Sequence, residues 1–157
     1  MEQTLTLLRR TRETILRTTA DLSKEQLHHI PEGFGNNILW NIGHLVVSQQ
    51  FLTYELAGLP MNVSEDWWAR FAEGSSPRDW QGSIDIDELR ERSLELVERT
   101  GRDWEQGLFA DLPPSQTKYP YTTSFGGELT SVLEALHYNT FHEGVHYGTI
   151  RSLKMFV

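Results

Sequence analysis

The stretch FHEGVHYG, residues 141–148, decides how this chain is to be read. His142 and His146 stand four residues apart with Glu143 directly after the first, which completes the spelling H-E-x-x-H of the zinc peptidases. On an α-helix the second imidazole is rotated only roughly 40° from the first and lies one turn along. Both rings then share one face and can share a metal. A pair of histidines is half of a site, so the fold follows from where the third ligand lies.

Catalytic zinc-type sites commonly take three protein ligands and keep one position open. In the peptidases the third ligand is downstream. Here the residue six after His146 is Ser152, and no Asp, Glu or His follows His146. No strand-bearing peptidase scaffold is visible either, so the peptidase reading fails. Upstream stand His28, His29, His44 and His137. His137 lies roughly 140° around the helix from His142 and cannot easily join the pair. His28 and His29 belong to a polar turn beside Pro31, where solvated rings are expected. His44 falls on the stripe Trp40, His44, Val47, Phe51 of an apolar helix. It is either a hydrogen-bonded core histidine or the ligand a facing helix supplies to the pair.

Helical periodicity recurs in four segments. The first, 2–21, sets Leu5, Leu8, Ile15, Leu16 and Thr19 on one side and Arg9, Arg10, Glu13 and Arg17 largely on others. Ser23 with Gln26 predicts a capped turn in SKEQLHH before Pro31 stops it. After the loop PEGFGN, Asn36 or Asn37 caps a second helix over 37–57, apolar around most of its circumference and ended by Gly58 and Pro60. Residues 59–85 form a long crossover with a short helix near 65–72. Asp85 and Glu88 open a third helix over 86–104. The segment 112–128 breaks it, and TKYPYTT within it is extended or paired as a hairpin. A fourth helix is expected over 127–154. Four long helices and one crossover predict an all-α, single-domain four-helix bundle spanning 1–157.

Composition narrows the function. Of 157 residues, 22 are acidic and 14 basic, a formal charge of −8, and no Lys/Arg-rich run occurs. Neither a nucleic-acid nor an anionic-membrane partner is expected. Cysteine is absent, which removes disulfides, thiolate ligands and a cysteine nucleophile. No window approaches the ~20 apolar residues of a membrane span. A cytoplasmic protein with a small-molecule substrate is the expectation.

NNILWNIGHLVVSQQFLTYELAGLP, residues 36–60, resembles the second helix of the DinB/YfiT-like superfamily, with its Asn-rich start, tryptophan and the histidine of GHL. ALHYNTFHEGVHYGTIRSLK, residues 135–154, resembles that family's last helix, and FAEGSSPRDW its crossover. The resemblance implies an up-down-down-up bundle, usually a homodimer, holding a divalent ion on three histidines. Carried over by position, these are His44, His142 and His146. It further implies zinc or nickel, with iron or manganese as other divalent candidates, and relatives that are S-transferases and isomerases using low-molecular-weight thiols. One departure is Thr149, one turn below His146, where many relatives have Gln.

Three neutral imidazoles leave an ion its full charge, able to acidify water or a thiol. The chain then acts as a thiol S-transferase, as a hydrolase of small esters or amides, or as a non-catalytic metal- or ligand-binding protein. Any sulfur nucleophile must come from a bound cofactor thiol. Glu143 is the candidate general base; its other reading is a carboxylate accepting an imidazole N–H. Asn41 and Ser48 are candidate donors behind the ligands, and Asn139, one turn above His142, is expected to face the site. Gly144 and Gly148 form a small-residue stripe with Phe141, which calls for close approach by a neighbouring helix or a second subunit. Trp67, Trp68 and Trp80 cover the core or wall a pocket above the metal, with core the preferred reading.

Overall fold

The computed structural model describes residues 1–157. Four long helices dominate it: α1 (Glu2–Thr18), α3 (Ile38–Gln50), α5 (Ile86–Glu105) and α6 (Val132–Lys154). Two short ones, α2 (Lys24–His28) and α4 (Glu65–Phe71), sit in the connections, and β1 (Tyr121–Thr122) pairs antiparallel with β2 (Glu128–Leu129). No helix is long and apolar enough to cross a membrane.

Side-chain contacts give the helix directions. Along α1 and α5 the pairs Leu5–Gly101, Arg9–Glu98 and Arg12–Ser93 run in opposite senses. Along α3 and α6 the contacts Asn41–His146 and His44–His142 do the same. Along α1 and α6 the pairs Arg12–Glu143 and Thr18–Lys154 run together, as do Gln49–Leu96 and Tyr54–Asp103 along α3 and α5. The bundle is therefore up-down-down-up. Parallel α3 and α5 cannot be joined by a tight turn, and this is why a long crossover lies between them.

The local signals act as their chemistry dictates. Ser23 and Gln26 form a reciprocal capping box on α2, Asn37 caps α3 through the Trp40 amide, and Asp85 caps α5 through the Asp87 and Glu88 amides. A π-helical turn, Phe51–Glu55, continues α3 towards Gly58, whose φ of 71° suits a residue without Cβ. The fourth long helix starts later than its periodicity predicts. Glu128 and Leu129 belong to the hairpin opened by Tyr121, and Ser131 caps α6 by accepting from the Glu134 amide. The first helix stops at Thr18 rather than 21.

At the bundle centre is a charged residue. Arg12, 1% exposed, occupies the stripe of Leu8 and Ile15. Its Nε and Nη2 donate to Glu143 Oε1 at 2.9 and 2.8 Å, Nη1 to the Ser93 carbonyl at 2.8 Å, and Nη2 also to the Leu45 carbonyl at 2.9 Å. One guanidinium on α1 thus holds α6, α5 and α3 together. Glu143, fully buried, has no other cation beside it.

Removing one partner of such a pair strands the other in a dry interior. Arg12→Ala is expected to lower the unfolding free energy by about 3–5 kcal/mol in urea titration. The apolar double replacement Arg12→Met with Glu143→Leu should recover most of that loss. A single variant within about 1 kcal/mol of wild type, the scale of a surface ion pair, would show that the pair does not hold the bundle.

Candidate metal centre

α3 and α6 bring three rings to one point. His44, His142 and His146 can each direct a ring nitrogen into a common space, with those atoms within 4.8 Å of one another. Ring centroids lie 4.5–5.2 Å apart. His28 instead bonds the Lys24 carbonyl through Nδ1, and His29 and His137 are exposed.

Two of the rings are oriented from behind by neutral acceptors. His44 Nδ1 donates to the Phe71 carbonyl at 2.8 Å, which leaves Nε2 unprotonated; there it accepts from Ser48 Oγ at 3.1 Å. His146 Nδ1 donates to Asn41 Oδ1 at 2.8 Å, while Asn41 Nδ2 donates to the Asn37 carbonyl. Its Nε2 is likewise unprotonated. Histidine ligands are normally fixed through their second nitrogen in this way. His142 differs: its Nδ1 is buried with no partner in the protein. An orphaned buried nitrogen is unfavourable, and it marks a ring that needs something the chain does not supply.

The rings are also kept uncharged. Burial, followed by the neighbouring His44 and Arg12 charges, pushes the His142 pKa down to about 4. Burial and then His142 and His44 push His146 down to about 3. Burial lowers His44 too, against the opposing pull of the Phe71 hydrogen bond and the Glu73 charge. Neutral imidazoles with free lone pairs are the form a divalent cation binds.

The crossover holds His44 in place. Gly43 has no side chain because the Phe71 ring fills the space a Cβ would take. That close approach lets the end of α4 bring its Phe71 carbonyl to His44. Trp40 stacks on the His44 ring with centroids 4.5 Å apart and planes 10° from parallel. Its Nε1 donates to Ser75 Oγ at 2.8 Å, and Ser75 Oγ in turn donates to the Arg70 and Ala72 carbonyls. Above the three rings opens a pocket of about 440 Å³, walled by Phe51, Trp68, Tyr121, Phe125 and Tyr138, with Glu73 at its rim. Burial first, then Glu73 and Tyr138, push the Tyr121 hydroxyl pKa up.

Several expectations are corrected by this geometry. Glu143 neither faces the three rings nor accepts from an imidazole; it points to the bundle axis and pairs with Arg12. Burial raises its pKa against the opposing charge and hydrogen bonds of Arg12. Asn139 faces the same axis, with Nδ2 donating to Glu143 Oε1 at 3.3 Å. Thr149 bonds the Val145 carbonyl and is not part of the pocket wall. Asn41 serves as an acceptor to the His146 ring rather than a donor. Of the tryptophans, Trp67 and Trp80 pack on Phe71, whereas Trp68 walls the pocket. No helix of this chain approaches Gly144 or Gly148.

Arg12, Phe71 and Glu73 were not singled out from the sequence. Arg12 does have a signal there, since Leu5, Leu8, Arg12, Ile15 and Thr19 follow the 3–4 spacing of a buried stripe. The Phe71 contribution is a backbone carbonyl and has none.

A helical bundle with three convergent histidines at the floor of an aromatic pocket is a class of protein able to hold a metal ion. The chain belongs to the DinB superfamily, whose family model matches residues 7–150. No curated protein matches it.

Acid should destabilise the metal-free protein in a predictable direction. Unfolded histidines take up protons near pH 6.5, whereas the folded rings of His142 and His146 do so only near 4 and 3. Between those limits the unfolded chain binds more protons, so stability is complete above about pH 6.5 and falls as the pH drops through that window. After chelation the loss should reach up to about 1.4 kcal/mol per pH unit for each ring. His142→Asn and His146→Asn should flatten the curve in denaturant titrations. A curve that His142→Asn and His146→Asn leave unchanged would contradict the neutral-ring assignment.

Proposed function

We propose that this chain is a divalent-metal enzyme that transfers a low-molecular-weight thiol to a small electrophile, with His44, His142 and His146 as the ligands. The observation that carries the reading is the convergence of three neutral imidazoles on the floor of a pocket in a chain without cysteine. When bound, zinc, nickel or another divalent ion supplies the Lewis acidity that lowers the pKa of a thiol or water. The chain's own residues do the rest. Phe71 and Asn41 hold His44 and His146 in the tautomer that keeps Nε2 available. Trp40 fixes the plane of His44. The aromatic wall offers apolar contact to an organic electrophile, which favours transfer over hydrolysis. The thiol releases its proton through the pocket mouth, its sulfur forms the new bond to carbon, and the displaced group leaves with the bonding electron pair.

Glu143 takes no part in this scheme, because its carboxylate is committed to Arg12 on the other side of α6. The reading places the enzyme in the cytoplasm as a homodimer. Exposed Phe141 and Val145, beside the uncovered Gly144 and Gly148, support a second subunit docking on α6. Metal preference is weakly set by imidazoles alone, so supply decides which ion is found.

Elemental analysis of untagged protein should find close to one divalent ion per chain and little in His44→Ala. A screen pairing thiols with small electrophiles should then give saturable turnover that His44→Ala lowers by at least about a hundredfold. Hydrolysis of esters without any thiol would transfer the site to the hydrolase reading. Full metal occupancy and ligand binding, with no turnover across the screen, would make it a binding protein.

A further inference from the structure

The pocket wall has a charge pattern that the metal chemistry does not require. Apart from the histidines, its only ionisable side chains are Glu73 and two tyrosines; no Lys or Arg lines it. No cationic side chain there would pair with the carboxylate or phosphate of an anionic substrate. Glu73 sits at the rim, exposed, on the turn that follows α4, between the Phe71 that holds His44 and Gly74 at φ 84°. It is therefore placed by the same anchored turn as the histidine site, through Trp40 and Ser75. It is not one of the residues whose atoms converge on the cation space.

Beside it stands a cluster of aromatic rings. Phe51 lies 5.7 Å from Trp68 with planes at 32°, and 5.4 Å from Tyr121 with planes at 74°. Aromatic rings that line one pocket together with an exposed carboxylate form an arrangement that receives an ammonium group. The ring faces attract the cation and the carboxylate accepts its N–H bonds.

Building on the pocket assigned above, we propose that the small molecule accepted here has an apolar or aromatic body ending in a protonated amine, and that Glu73 is the residue that reads its charge. The amine occupies the rim beside Glu73, which is outside the set of side chains that converge on the cation space, so a cation at the floor and a cation at the mouth do not compete for one position. Anionic analogues of the same shape find no cationic partner along the walls.

Binding of 2-phenylethylamine and of its neutral counterpart 2-phenylethanol tests this, by calorimetry and by quenching of tryptophan fluorescence, for which Trp68 lies in the wall. The amine should bind about five- to tenfold more tightly, a modest ratio because Glu73 is solvent-exposed. Glu73→Gln should bring the two within about twofold while leaving the alcohol unchanged. Glu91→Gln, on α5 and outside the pocket, makes the same change to the net charge of −8 and should keep the preference. Equal binding of the two probes, or a preference that survives Glu73→Gln or disappears with Glu91→Gln, would overturn the proposal. The preference should persist after chelation, so a protein that proves to contain no metal would end the enzymatic reading and leave this measurement intact.

Discussion

The Arg12–Glu143 pair is the constraint on which the rest of the structure depends. A buried ion pair is a weak source of stability compared with apolar packing. Its value here is directional. Arg12 reaches all three of the other long helices from one position on α1, through two backbone carbonyls and one carboxylate. Glu143 can meet it only when α6 has one particular rotation about its axis. With Glu143 on the bundle axis, His142 and His146 lie roughly 100° and 60° round the helix to the same side. That side faces α3, where His44 stands. A change in the rotation of α6 large enough to free the carboxylate would carry both rings off the pocket.

The second determinant is topological. Parallel α3 and α5 require a long connection, and such a connection is normally surface loop. In this chain it is packed back onto α3. Gly43 leaves room for the Phe71 ring, Trp40 bonds Ser75, and Trp80 donates to the Arg70 carbonyl. The result is that a segment needed only to return the chain to the other end of the bundle orients one histidine and walls the pocket. A surface strap held by so few side chains would be mobile. Trp67 and Trp80 packed on Phe71, with the Phe71 ring seated against Gly43, give it the contacts of a core element.

What the sequence makes legible follows from periodicity. The four helices, the caps at Ser23, Asn37 and Asp85, and the common face of His142 and His146 are set by residues close in sequence. His44 could be paired with them because it stands on the apolar stripe of a helix with no exposed side. The role of Glu143 could not be read the same way. Helical angles place it relative to its histidines but do not say where the bundle axis lies, and only Arg12, 131 positions away, fixes that. The late start of α6 has a similar origin: Glu128 and Leu129 have no strong strand preference and are held extended by Tyr121 and Thr122 across the hairpin. Asn139 was misread with Glu143, since an error in the axis moves every residue one turn away with it.

The electrostatic layout follows from these placements. Metal-binding histidines are often backed by carboxylates, which make the ring more basic and lend the site negative charge. Here the backing groups are a carbonyl and an amide, and the carboxylate nearest in sequence is turned away and paired with Arg12. The three rings are therefore neutral and receive no countercharge from behind. A cation among them would keep nearly its whole charge directed at whatever fourth ligand enters from the pocket. Separation is what makes this workable: with Glu143 sealed behind α6 and Glu73 at the rim, no acidic group enters the space on which the three rings converge. Burying Glu143 against Arg12 thus serves the fold and the site through a single placement.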